Sequence, residues 1–168
     1  MPPEPTDRDP RRLEAAFREV LLAGKASFLP HAELAEYVAQ HAGKTIVSRV
    51  ENIRGTLDPE QLADPLQLAG VDLAILPAAV AVAENGAMWV SEAEAVHRVL
   101  PFITQHLILV VPRARLVGTM HEAYRAIAVD ATGFGVFIAG PSKTADIEQS
   151  LVIGAHGSRS LIVCLTDE

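Results

Sequence analysis

Apolar positions along this chain keep switching between a helical rhythm and short unbroken runs. Leu13, Phe17, Val20 and Leu21 repeat at helical spacing between an Asp9-Pro10 start and Gly24, which predicts a helix over 10–23. Leu34, Tyr37 and Val38 lie on one side of a second predicted helix, 31–42, that stops at Gly43, and 44–50 then reads as a strand. Asp58-Pro59 repeats the helix start, but Asp64-Pro65 interrupts it because the ring removes a donor and clashes with the preceding turn. Two short helical turns are therefore expected there. Residues 71–76 form a buried strand candidate, and 80–90 contains Asn85-Gly86, a dipeptide that tolerates positive φ in a hairpin turn.

The second half follows the same alternation. Ser91 and Glu94 form a capping box that opens a helix over 92–100, with Pro101 as its terminator. Residues 107–111 are five consecutive branched apolar side chains, the pattern of a strand covered on both faces and placed centrally in a sheet. Thr119 and Glu122 form another capping box, opening a helix to about 128. A strand over 134–139, a helix over 145–153 ended by Gly154, and a last strand over 161–165 complete the pattern. Strands separated by helices of this length imply right-handed crossovers and a mostly parallel sheet in one α/β domain. That domain is expected to span 9–168, after a flexible stretch over 1–8 that is rich in proline and charge.

Composition narrows the partners. The 168 residues suit one domain, and 49% apolar with 5% aromatic content calls for an aliphatic core packed between layers. A formal charge of −7 opposes the phosphate backbone of nucleic acids, so DNA or RNA is not expected as a partner. The longest apolar run, 73–83, contains Pro77 and falls well short of the roughly 20 residues a bilayer requires, so no membrane span is predicted. The first residues offer no apolar signal-peptide core, which points to the cytoplasm. Cys164 is the single cysteine, so neither an internal disulfide nor a self-contained four-thiolate site is available, and any iron–sulfur chemistry would belong to a partner. No pair of histidines has metal-ligand spacing, and no metal is predicted. His97 and His121 are expected at the surface, His106 in a core or edge role, and His156 is a weak site candidate in the loop leaving the predicted 145–153 helix.

Chemistry concentrates where the 134–139 strand meets the predicted 145–153 helix. Ligands of open parallel sheets bind beyond the carboxyl ends of strands, where a helix N-terminus offers unpaired N–H groups and positive potential. Gly140, Ser142, Lys143, Thr144 and Asp146 occupy such a junction, with Lys143 adding a point charge for a carboxylate or phosphate. The competing reading makes Ser142 or Thr144 a plain N-cap and Asp146 and Glu148 ordinary first-turn acids. Pro141 and Ser142 precede Lys143, so this is no Walker loop. Glu84, Asn85 and Gly86 either present a carboxylate to the same crevice, pairing with Lys143, or form a polar hairpin tip.

The run Gly140-Pro141-Ser142-Lys143-Thr144-Ala145-Asp146-Ile147-Glu148-Gln149, with Leu151, Gly154 and His156-Gly157 after it, resembles the signature of the LUD-domain family, in its lactate-utilisation protein C group. Ala83-Glu84-Asn85-Gly86-Ala87 resembles the family's second motif, usually closer to Ala-Glu-Thr-Gly-Thr, and the match covers about residues 71–165. The resemblance implies a fold similar to the sugar-isomerase and CoA-transferase superfamily (NagB/RpiA-like), a three-layer α/β/α domain. It also implies participation in oxidation of L-lactate to pyruvate beside two iron–sulfur partner proteins, with no cofactor to place on this chain and enzyme status open. Asn85 and Ala87 depart from the family pattern and remove hydroxyl donors from the expected crevice. Two functions follow as expectations. One is an accessory subunit that binds a small anion or a partner through Glu84, Ser142, Lys143, Thr144 and Asp146. The other is a free-standing transferase-like enzyme acting on an acyl, sugar-phosphate or folate-type substrate, with Glu84 or Glu148 as base or nucleophile.

Overall fold

The computed structural model describes residues 9–127, 133–145, 151–153 and 157–167, with only the backbone of 143–145 and 151–153. Its first half runs α1 (Pro10–Ala23), β1 (Ser27–Phe28), α2 (Leu34–Ala39), β2 (Ile46–Ser48), β3 (Leu73–Pro77), β4 (Val80–Val82) and β5 (Met88–Ser91). The second runs α3 (Glu92–Ala95), α4 (Leu100–Ile103), β6 (His106–Pro112), β7 (Leu116–Val117), α5 (Met120–Ala126), β8 (Gly135–Ile138), β9 (Lys143–Ala145), β10 (Leu151–Ile153) and β11 (Ser160–Thr166). Short 3-10 turns at Pro59–Gln61 and Pro65–Gly70 replace a helix between β2 and β3, each started by an Asp-Pro pair whose carboxylate caps the turn, as the two prolines predict.

The five-stranded sheet has the order β1-β11-β6-β3-β2, and every pair in it is parallel. The expected mostly parallel sheet with β6 at its centre is therefore present. After β1 the chain crosses to the far edge and then returns one strand at a time. That reversal sends α2 to one face and the later connections to the other, as crossovers of uniform hand require. On β6, Leu107, Leu109 and Val111 pack toward α1 and α4, while Ile108 and Val110 pack toward Leu34, Tyr37 and Val38 of α2. Both faces are thus apolar, which is why the sequence shows a continuous run and not an alternation. Each such fully buried side chain contributes about 1.5–3 kcal/mol.

A second sheet, β7-β4-β5-β8, lies on the α1 side. Ala81, Met88 and Val90 join the main core, while Val82, Ala87 and Trp89 face Ala123 of α5. The Trp89 ring packs tilted against Phe137 with centroids 4.8 Å apart, and Phe137 meets Tyr124 edge-on at 5.6 Å. Gly135 lies flat on this cluster: a Cβ there would stand 2.1 Å from Trp89 Cζ2.

Four elements differ from the sequence reading. The helix expected over 31–42 is a 3-10 turn at His31–Glu33 followed by the short α2, neither with a side-chain cap. The strand expected over 44–50 is only the three-residue β2, because the following loop folds back across its outer edge: Thr56 and Leu57 N–H donate to the Ile46 carbonyl, and the Thr56 hydroxyl accepts from Ile46 N–H. Gly55 permits this approach, since a Cβ there would lie 2.6 Å from the Ile46 oxygen. The helix expected over 92–100 breaks at Val96, at φ 64°, and restarts as α4 with Pro101 in its first turn, where a ring that needs no donor starts a helix and does not end one. His97, expected at the surface, is half-buried and hydrogen-bonds through Nε2 to the Pro59 carbonyl at 2.9 Å. Arg98 binds Glu92 and lies over the Phe134 ring, so contacts on both sides hold the strained residue.

The largest difference falls on the helix expected over 145–153. β9 and β10 instead form an antiparallel hairpin with Leu151 opposite Ala145 and Ile153 opposite Lys143. Short apolar runs fit either period, and Leu151-Val152-Ile153 is rich in the β-branched residues strands favour. Asp146, Glu148 and His156 lie outside the described residues.

Two measurements test this packing. Gly135→Ala is expected to lower unfolding free energy by about 1–3 kcal/mol through overpacking against Trp89, read by urea denaturation. Burial pushes the Cys164 thiol up to about 12, so a thiol reagent at pH 8 is expected to leave the native protein unlabelled and to label it fully in denaturant.

Candidate functional site

Among the described residues, a cleft lies at each end of β6 and β11. The amino-end cleft, about 410 Å³, lies between Pro101 and Phe102 of α4, the outer end of β8, the Gly140-Pro141-Ser142 turn and Gly157-Ser158. Gly140 adopts φ +143°, and a Cβ on it would come 3.3 Å from the Gly24 carbonyl at the end of α1, so glycine is required there. Pro141 is buried, and Ser142 N–H donates to the buried Ser158 at its carbonyl, 2.9 Å away. Gly157 closes the other side, where a Cβ would stand 3.1 Å from that of Ser142.

This corrects the expected geometry in three respects. The turn leaves β8, which belongs to the second sheet, and so it opens near the amino ends of the parallel strands and not beyond their carboxyl ends. The chain continues from it into a strand, so Lys143 and Thr144 begin no helix, and the Ser142 amide is answered internally. The expected helix-dipole attraction is therefore absent from this turn. The side chains of Lys143 and Thr144 lie outside those described, as does the whole of Asp146.

The second motif has a structural part to play. Gly86 sits at φ +72° at the hairpin tip between β4 and β5, with Leu21 Cγ 3.0 Å from where its Cβ would be. The Asn85 side-chain oxygen accepts from Ala87 N–H at 3.0 Å, closing the turn that a hydroxyl-bearing residue would otherwise close. Glu84 is exposed; its Oε1 accepts from Met120 N–H at 2.8 Å, completing the N-terminus of α5 that Thr119 and Glu122 cap in the usual reciprocal way. Glu84 is not among the described residues lining the amino-end cleft. What brings the two motifs close is α1, whose last turn receives Gly86 at Val20 and Leu21 and Gly140 at Gly24. His106, expected in a core or edge role, is half-buried at the foot of the central β6 and bonds Ser160 Oγ through Nδ1 at 2.8 Å.

The carboxyl-end cleft, about 500 Å³, carries charges that the sequence reading missed. It lies between the start of α1, the Arg113–Arg115 turn after β6, β7 and the start of α5. Arg113 bridges Glu14 of α1 and Asp167, the residue after β11, while Arg18 binds the other oxygen of Glu14. Partial burial raises the Glu14 carboxyl, but hydrogen bonds and charge from Arg18 and Arg113 outweigh it and hold the group below the usual carboxylate range. A signal was present in the sequence: Pro112-Arg113 directly follows the most apolar strand, where parallel sheets place ligand sites.

A mostly parallel central sheet with helices on both faces defines an α/β protein. The model of the LUD domain matches residues 23–166, and the chain belongs to the LUD-domain family. It is 32% identical over 103 residues to a lactate utilization protein C of Shouchella clausii, covering 58% of this chain and 44% of that protein. The same-named protein of Geobacillus kaustophilus is 30% identical over 114 residues, 64% of this chain and 47% of the relative. The chain thus spans less than half the length of these curated relatives. A crystal structure of a DUF162 family protein from Deinococcus radiodurans superposes with a TM-score of 0.70, covering 94% of this chain and 98% of that one at 22% identity, which shows a shared fold.

If Glu84 serves the helix end and not a reaction, Glu84→Ala is expected to cost about 0.5–1 kcal/mol of stability, with Glu84→Gln recovering part of it, measured by thermal unfolding.

Proposed function

We propose that this chain acts in lactate utilisation, as an accessory component beside iron–sulfur proteins that oxidise L-lactate to pyruvate. The observation that carries this reading is the similarity, at 30–32% identity over 58–64% of the chain, to proteins named lactate utilization protein C. The cysteine count supports the division of labour: with one cysteine, and that one buried, the chain supplies no thiolate set for a cluster of its own. The reading therefore assigns electron transfer to partners.

Within this role the Gly140-Pro141-Ser142 turn is the recognition element, holding a small carboxylate or a partner segment in the amino-end cleft. Ser142 supplies a hydroxyl, and Lys143 follows it in the chain as the counter-charge. Glu84, Asn85 and Gly86 act as supports that hold the ends of α1 and α5. Among the described residues no helix is long and apolar enough to cross a membrane.

Deleting the gene is expected to abolish growth on L-lactate and spare growth on glucose, with full rescue by the wild-type gene and weak rescue by Lys143→Ala. Calorimetry on the purified chain should show lactate or pyruvate binding that Lys143→Ala weakens about tenfold. Unimpaired growth of the deletion strain on lactate would overturn the role, whatever the calorimetry shows.

A further inference from the structure

We propose that the cleft at the carboxyl ends of β6 and β11 binds an amphipathic organic anion, with its apolar body against Leu13, Leu116 and Val117 and its carboxylate or phosphate head at Arg11 and Arg113. The volume, about 500 Å³, falls in the range of small-molecule sites and exceeds what lactate or pyruvate would fill. Its position is the one where open parallel sheets place ligands, since Arg113 directly follows β6 and Asp167 directly follows β11.

The sign of the head group follows from which hydrogen bonds are already spent. Both oxygens of Glu14 are engaged, one by Arg18 and one by Arg113. Glu122 Oε2 accepts from the amides of Gly118 and Thr119. Both oxygens of Glu14 and one of Glu122 are therefore already answered by donors. Arg113 uses Nε for Glu14 and Nη1 for Asp167, which leaves its second terminal nitrogen free of these pairs. Among the described residues the Arg11 side chain, which also lines the cleft, has no ion-pair partner; only its backbone N–H is used, by Asp9. Against that single remaining carboxylate oxygen stands donor capacity on two guanidinium groups, which suits planar, doubly bonded recognition of an oxyanion. The apolar wall then requires a hydrophobic body on the same molecule. This site is separate from the amino-end cleft, so it stands or falls independently of the role in lactate utilisation.

Octanoate is the probe, with octan-1-ol and inorganic phosphate as its two halves, titrated calorimetrically into the wild type, Arg11→Ala and Ala114→Trp. Arg11 and Ala114 are both exposed, so unchanged melting temperatures will confirm that the variants fold. One octanoate is expected per chain, bound about tenfold more weakly by Arg11→Ala and lost from Ala114→Trp, whose ring fills the cleft. Octanol and phosphate should each bind at least about tenfold more weakly than octanoate. Amide shifts in NMR spectra should cluster at Leu116, Val117 and Gly118. The proposal is overturned if octanoate fails to bind, if Arg11→Ala binds it as the wild type does, if either half-probe matches it, or if the shifts gather at Gly140–Ser142.

Discussion

The pairing of β6 with β11 is the constraint on which the rest of the molecule depends. Seven residues of each strand run in parallel register, from Ser160 beside His106 to Thr166 beside Pro112. Neither strand can slip by one residue without sending Leu107 and Leu109 from one core into the other, because the two faces are packed by different elements. Fixing this pair fixes its two ends. At one end the chain enters through Ser158 and Thr104, both buried; at the other it leaves through Arg113 and Asp167, which pair with each other while Arg113 also binds Glu14. The two clefts are consequences of that register, since each is built from what precedes or follows the same two strands.

Helix α1 transmits the arrangement from one end of the sheet to the other. Its first turn contributes Arg11, Leu13 and Glu14 to the carboxyl-end cleft, its middle buries Phe17 and Leu21, and its last turn is the surface on which Gly86 and Gly140 rest. The two motifs that mark the family are thus linked through a helix that precedes both in the chain and has no place in either motif. Their glycines are explained by close approach: a side chain at either position would press on α1.

Much of this was legible in the sequence where local signals agree with one another. Asp9-Pro10, Ser91 with Glu94 and Thr119 with Glu122 fixed three helix starts because a cap is a local hydrogen bond. Five branched residues in a row fixed the central strand because burial on both faces leaves no alternation to misread. Illegible were the features decided by distant contacts. Val96 takes its positive φ where His97 and Arg98 are held by Pro59 and Glu92, and β2 stops short where a loop ten residues on folds over it. At 143–153 the acidic stretch suggested a helix, while the flanking β-branched residues pair across a hairpin, and the sequence offers no local signal strong enough to choose. The site suffered most, because moving one element from helix to strand removed the dipole on which its electrostatics rested.

The loop laid across β2 bears on how copies of this protein can meet. Gly55, Thr56 and Leu57 occupy the outer rim of the five-stranded sheet, and at the opposite rim β1 offers only two residues. Neither margin presents a long run of free backbone donors and acceptors, so the main sheet is closed to lateral growth into a continuous ribbon. Copies that meet along this sheet must therefore do so through side chains and not by adding strands to it.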